Sequence, residues 1–280
     1  MTAHGVDANA SGEQMMEWYA AYWLLGAFAG FFAGLFGIGG GLIFVPLLTM
    51  LFAAQHLSAA HNLHLAIGTS MATILYTAAA SAHAHYRLGA VRLDLVRKFT
   101  LGLLLGTGLG TTMASHISPR YLSGFFALFM CYVAAKMLRK SQIHANRPIP
   151  KQAVLTLVGI GIGAISSLVS IGGGTLSVPF MLRHNIPLKT AIGTSAALGL
   201  PIALGGTLGY IVIGLSQTNL PHNTLGFVYL PALALLVAGS MVTASMGAKA
   251  AHRLPLTPLR QGFALLLIVL ACKMLWQALA

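Results

Sequence analysis

Six stretches of this chain, at about 65–86, 95–115, 121–139, 188–214, 226–249 and 259–279, stay apolar long enough to cross a lipid bilayer as helices. A hydrocarbon core about 30 Å thick takes roughly 20 helical residues. The chain is therefore expected to be an all-α integral membrane protein. Charge agrees, since only 7% of its residues are charged against about 25% in soluble domains. Beyond Trp18 the single acidic residue is Asp94; Asp7, Glu13 and Glu17 sit in a polar leader, residues 1–18, that lacks the basic start and cleavage pattern of a signal peptide. The formal charge of +12 raises nucleic acid as a partner. The basic residues, however, fall in short loops between apolar runs, which is a topology signal and excludes that partner class. Cys131 and Cys272 are isolated in apolar segments without metal spacing, and are expected to be small buried hydrophobes.

Two further apolar segments, 42–54 and 175–183, are too short to span. Each follows a glycine cluster that ends a longer run, 19–36 and 153–169, so each is expected to be the second arm of a hairpin or broken helix. Lys and Arg concentrate on one side: Arg87, Arg92, Arg97 and Lys98; Arg139, Lys140, Arg147 and Lys151; Arg183 and Lys189; Lys249, Arg253 and Arg260. The intervening loops 55–64 and 216–225 carry no charge. Placing the basic loops in the cytoplasm puts both termini outside a multi-pass protein of the cytoplasmic (inner) membrane. The aromatic stretch WYAAYW at 18–23 and Trp276 then serve as interface anchors on the outer side.

The chain is also written twice. GLFGIGGGLIFVPLL at 34–48 is echoed by SLVSIGGGTLSVPFM at 167–181, AIGTSMA at 66–72 by AIGTSAA at 191–197, and GFFALFMCYVAAKML at 124–138 by QGFALLLIVLACKML at 261–275. The expected organisation is a leader (1–18, outside), a first membrane repeat (19–140), a basic cytoplasmic linker (141–152) and a second repeat (153–279). With a hairpin plus three crossings per repeat, an odd number, the second enters from the opposite face, so the repeats are inverted. By analogy, inverted repeats with discontinuous helices are the architecture of secondary transporters.

Non-helical backbone at membrane depth is tolerated only inside protein or beside a polar cavity. A half-helix beginning just after Gly41, or at Pro46, turns free N–H groups and the positive end of its dipole toward the break. Glycines let such donors approach an anion closely. The candidate substrate-binding residues are therefore Gly39, Gly40 and Gly41 with Gly172, Gly173, Gly174 and Thr175. The hydroxyls of the two GTS triplets, Thr69, Ser70, Thr194 and Ser195, are added to them. Carriers of cations and protons commonly place carboxylates inside the membrane; this chain places none there, which points to a small anionic substrate. His83 is a candidate proton-coupling group, since imidazole titrates near neutrality. Pro201 is expected to kink its helix.

Together GLFGIGGGLIFVP, SLVSIGGGTLSVP and the following AIGTS triplets resemble the sulfite exporter TauE/SafE family over about residues 19–279. The resemblance implies a secondary permease for sulfite or organosulfonates, alternating about a central site, with no cofactor. A homo-oligomer is compatible with the sequence. The main alternative is a transition-metal (nickel or cobalt) transporter built on the eleven histidines, including His56, His61, His64, His83 and His85. However, two residues apart on a helix are about 200° apart, which separates His83 from His85. An enzyme is not expected: there is no HExxH, no pair of membrane aspartates and no serine with a base beside it.

Overall fold

A computed structural model describes residues 4–58, 60–139 and 148–279. Leader residues 1–3 and linker residues 141–147 of the expected organisation, with Lys140, lie outside the described residues. The chain is a multi-pass all-α membrane protein. Its helices are α1 (His4–Phe36), α2 (Gly41–Ala54), α3 (Asn62–Arg87), α4 (Leu93–His116), α5 (Pro119–Leu138), α6 (Gln152–Leu168), α7 (Gly174–Arg183), α8 (Leu188–Leu215), α9 (Leu230–Arg253) and α10 (Leu256–Leu279). Two-residue strands β1 (Thr224–Leu225) and β2 (Val228–Tyr229) pair antiparallel before α9. The apolar run read as starting at 226 thus becomes helical only at Leu230, because Phe227 is first tucked against α3 and α8: a Cβ on Gly68 or Gly214 would overlap its backbone.

The short arms turn back. The Tyr22 hydroxyl in α1 donates to Gln55 Oε1 at 3.0 Å, just past the end of α2, and the Tyr22 and Phe52 rings meet edge-on. In the second half, Gln152 at the start of α6 donates to the Lys98 carbonyl at 2.8 Å, while Phe180 of α7 packs edge-on against Phe99, one residue along α4. Each arm therefore returns to the side from which its partner came. Tyr22 is buried rather than part of an aromatic belt; Trp23 and Trp276 are exposed. α1 runs unbroken across the expected boundary at 18, and its stretch Met15–Phe36 is long and apolar enough to cross. Cys131 and Cys272 correct another expectation: both are exposed on the outside of the bundle, on faces of α5 and α10 that turn away from the core.

Packing pairs match between the halves. α1 packs on α9 as α6 packs on α4; α3 pairs with α8 at the centre, and α5 with α10. Glycines four apart set the close pairs, because small residues allow backbones to touch where lipid supplies no hydrophobic drive. A Cβ on Gly26 or Gly34 of α1 would overlap Leu236 or Ala244 of α9, and one on Gly102, Gly106 or Gly110 would overlap Thr156, Ile160 or Ala164 of α6. At the start of α4, Arg92 Nε donates to Asp94 Oδ1 at 3.1 Å, so the lone acid beyond the leader is neutralised at an exposed position.

Candidate functional site

The two glycine clusters break their helices in the same way. α1 ends at Phe36 and α2 restarts at Gly41 with Gly40 as a left-handed N-cap (φ 83°); α6 ends at Leu168 and α7 restarts at Gly174 with Gly173 in that role (φ 81°). Such φ values suit glycine because a Cβ is strained there. Of the two expected starting points the glycine applies, and Pro46 and Pro179 lie within their helices. The first backbone bonds run from Ile43 and Phe44 to the Gly40 carbonyl, and from Leu176 and Ser177 to the Gly173 carbonyl. The N–H groups before them are the ones a helix start leaves free.

The breaks meet each other. The Gly172 N–H donates to the Ile38 carbonyl at 2.9 Å, and a Cβ on Gly39 would come within 2.8 Å of Gly172 Cα. A Cβ on Gly41 would collide with the Ser170 carbonyl and one on Gly174 with the Gly37 carbonyl. The side-chain faces of Gly41 and Gly174 are thus filled by backbone of the opposite half, and close contact between halves is their evident task. Gly40 faces Phe44 and Ala29, and Gly173 faces the Ile202 side chain.

The GTS triplets have paired structural tasks as well. Thr69 Oγ1 accepts the Tyr229 N–H at 2.9 Å, and Thr194 Oγ1 accepts the Arg92 N–H at 3.0 Å. Tyr229 and Arg92 are the N-cap residues of α9 and α4, so each half's threonine holds the start of a helix in the other half. Ser195 donates to the Gly37 carbonyl at 3.3 Å and also to its own helix at Ile192; Ser70 accepts from Ser170, the residue matching Gly37, at 2.8 Å. In this conformation all four hydroxyls are engaged with protein. Thr175 Oγ1 is buried without a partner.

Beside the Gly39–Gly172 contact lies a cavity of about 10 Å³, room for one water, lined by Gly39, Gly172, Thr77, Ser81, Ala196 and Gly199, with Ala33, Gly37 and Ala78 completing the wall. It sits toward the side of the basic loops. The Ser81 hydroxyl is buried with no partner. Across the contact the way is filled: Ile74 packs on Gly39 and Gly41, Met71 on Gly206, and Ile202 on Gly173. The cavity hydroxyls at Thr77 and Ser81 were missed by motif reading. Their signal is a row of five residues spaced four apart on α3, Thr69, Thr73, Thr77, Ser81 and His85, every member of which is buried. Each step turns about 40° around the helix, so the row winds slowly rather than forming a stripe.

The histidines divide sharply. The side chain of His83 is exposed, away from the cavity, whereas His85 is fully buried. His85 Nε2 lies 3.2 Å from the Gly34 carbonyl, and its Nδ1 lies 3.2 Å from His252 Nε2 on α9. Gly34 is in the last turn of α1, whose carbonyls lack helical partners. The matching carbonyl in α6, Ser167, accepts from the Tyr210 hydroxyl at 3.1 Å. His64 is also buried, with Nε2 3.2 Å from the Ala114 carbonyl and its ring stacked on Phe227. Among the described residues, no three His, Cys, Asp or Glu side chains come together as a metal site.

The sequence profile of the family described as "Sulfite exporter TauE/SafE" matches residues 22–274. A "Probable membrane transporter protein" of Haemophilus influenzae is 38% identical over 254 residues, covering 90% of this chain and 96% of that protein. The "Probable membrane transporter protein YdhB" of Bacillus subtilis is 26% identical, covering 81% and 87%. A third "Probable membrane transporter protein", from Xylella fastidiosa, is 30% identical, covering 91% and 94%. No solved structure matches the chain.

Proposed function

This chain belongs to the sulfite exporter TauE/SafE family of membrane transporters, and on that premise we propose that it carries small sulfur-containing oxyanions, such as sulfite or organosulfonates, across the cytoplasmic membrane. The observation that carries this reading is the junction of the two breaks. Backbone of both breaks at Gly37, Gly39 and Gly172, with the hydroxyl-bearing Thr77 and Ser81, lines a cavity with no carboxylate in its wall, and the starts of α2 and α7 lie two residues along the chain from Gly39 and Gly172. Helix starts favour negative charge, and N–H and O–H donors suit an oxyanion without a buried arginine.

At about 10 Å³ the cavity is too small for any oxyanion, so this conformation is closed and transport requires the two halves to separate at the Gly39–Gly172 contact. Alternating access by rocking of inverted repeats supplies that motion. The small residues on the basic side, against Met71, Ile74 and Ile202 on the other, support opening first toward the cytoplasm, with both termini outside. Glycines 39–41 and 172–174 and the hydroxyls of Thr69, Ser70, Thr175, Thr194 and Ser195 then serve the site mainly by shaping its walls, and the N–H groups of the two helix starts meet the anion.

Radiolabelled sulfite flux into proteoliposomes tests this, beside sulfoacetate, thiosulfate, sulfate, acetate and nickel as competitors. Gly199→Ala adds a Cβ only 3.2 Å from Ala78 Cβ and from the Gly172 carbonyl, tight but tolerable, at the cavity wall. It is expected to cut flux at least tenfold while the protein remains folded by size exclusion. Undiminished flux in that variant rejects the site, and absence of sulfite flux, or competition by nickel but by none of the sulfur oxyanions, rejects the substrate class.

A further inference from the structure

From the paired latches at the helix breaks, we infer that His85, partnered by His252, is the proton-coupling group of this carrier, so that the anion moves together with a proton. The inference rests on the oxyanion reading above. The two halves tie the same orphaned carbonyl in different ways. In the second half Tyr210 donates to Ser167, and a phenol stays protonated throughout the physiological range. In the first half the matching position is His85, donating to Gly34, and imidazole titrates near neutrality. The duplication places a donor at both positions, but only the one on the basic side gains and loses a proton.

The surroundings of His85 suit that task. Its Nε2–H serves Gly34 in α1, which leaves Nδ1 as an acceptor for the Nε2–H of His252 in α9. His252 is partly exposed and reaches solvent, whereas His85 is sealed. A proton taken up at His252 Nδ1 and passed from its Nε2 to His85 Nδ1 leaves His252 neutral and His85 cationic. Both hydrogen bonds survive, with the His85–His252 bond reversed in direction. The new charge then sits one helical turn, about 6 Å along the axis, from Ser81 in the cavity wall. Gly34, which His85 holds, directly follows Ala33 of the same wall.

The other charged groups leave this pair as the titrating element. α1 contributes only the Gly34 carbonyl at this point. From α8, Lys189 donates to the His252 carbonyl at 3.4 Å. Lys249 and Arg253 flank His252 on α9 and are exposed, and Arg92, in the loop that precedes α4, is paired with Asp94. With no carboxylate near the cavity, the cation formed on His85 has no resident counter-ion. An anion entering beside Ser81 supplies it, and the two bind cooperatively.

Wild-type protein, His85→Gln, His252→Gln and His83→Ala are compared in proteoliposomes with a lumenal pH dye, and proton flux is divided by radiolabelled sulfite flux. Gln at 85 keeps a donor for Gly34 without titrating. The proton-to-sulfite ratio is expected to fall at least tenfold in His85→Gln and His252→Gln and to hold in His83→Ala. A ratio that holds in both Gln variants, or that falls only in His83→Ala, overturns the inference. A second measurement needs no substrate: hydrogen–deuterium exchange at residues 34–37, corrected for intrinsic pH dependence, between pH 8 and pH 5.5. A pH-dependent change in wild type that is lost in His85→Gln supports the pair, and equal behaviour of the two proteins overturns it. Absence of sulfite flux in wild type rejects the oxyanion reading while the exchange arm still decides the histidines.

Discussion

Replacing Thr69 and Thr194 by valine separates a substrate-contact role from a scaffold role for the GTS triplets. Valine keeps the branched shape and removes only the hydroxyl oxygen, so the Tyr229 and Arg92 N–H groups lose their acceptors at 2.9 and 3.0 Å. A backbone donor left unsatisfied in a partly buried position costs about 1–3 kcal/mol, while hydrogen bonds between membrane helices average nearer 0.6 and reach about 1.7 kcal/mol. About 1–2 kcal/mol per substitution is therefore expected. The two bonds share no residue and sit at opposite ends of the α3–α8 pair, so the double variant should lose about 2–4 kcal/mol, close to the sum. Unfolding in mixed micelles by SDS titration measures this, with Thr→Ser at each site as the variant that restores the acceptor. Sulfite affinity, measured by calorimetry on the folded fraction, should change less than threefold. Unaltered stability in both valine variants, or a tenfold loss of affinity with stability intact, refutes the scaffold role.

Two other substitutions follow from the same geometry. Gly41→Ala and Gly174→Ala drive a Cβ into the Ser170 and Gly37 carbonyls and should abolish recovery of monodisperse protein, whereas Gly108→Ala, Gly161→Ala and Gly262→Ala meet nothing within 4 Å and should purify like wild type. Ser81→Ala removes a buried hydroxyl that has no partner and should raise stability by about 1–2 kcal/mol in SDS titration, while weakening sulfite binding several-fold; a variant that is both more stable and equally tight shows Ser81 to be idle.

Much of the fold was legible because membrane helices announce themselves by length and because duplicated motifs mark corresponding positions. The limits of that reading were local. The break in α1 was visible as GIGGG, but whether α2 crosses or returns depends on a contact between Tyr22 and Gln55, 33 residues apart, that no periodicity encodes. The aromatic WYAAYW pattern suggested a belt, yet Tyr22 is drawn inward by that same hydrogen bond. The cysteines were read as buried because they are apolar, but in lipid an apolar surface residue carries no penalty, so apolarity does not separate inside from outside.

The site was less legible for a reason that the duplication itself explains. A residue that occurs in both halves is first of all a residue that both halves need in order to hold each other: Thr69 with Thr194, Ser70 with Ser195, Gly41 with Gly174. Searching for repeated positions therefore selects the junction between the halves and its fastenings. Chemistry that differs between the two sides of the membrane must come from positions where the halves disagree. On α3 and α8 these include, along the row toward the basic side, Thr77 against Ile202, Ser81 against Gly206 and His85 against Tyr210. Thr77, Ser81 and His85 form a winding row on α3 from the cavity to the basic side, whereas α8 offers Ile202, Gly206 and a phenol that is already donating to Ser167, and the matching surface is closed by Met71, Ile74 and Ile202. On the rocking-carrier reading proposed above, a symmetric scaffold with this asymmetric lining would have two closures that differ in energy and in protonation, and that difference would give the carrier a preferred side and a means of coupling.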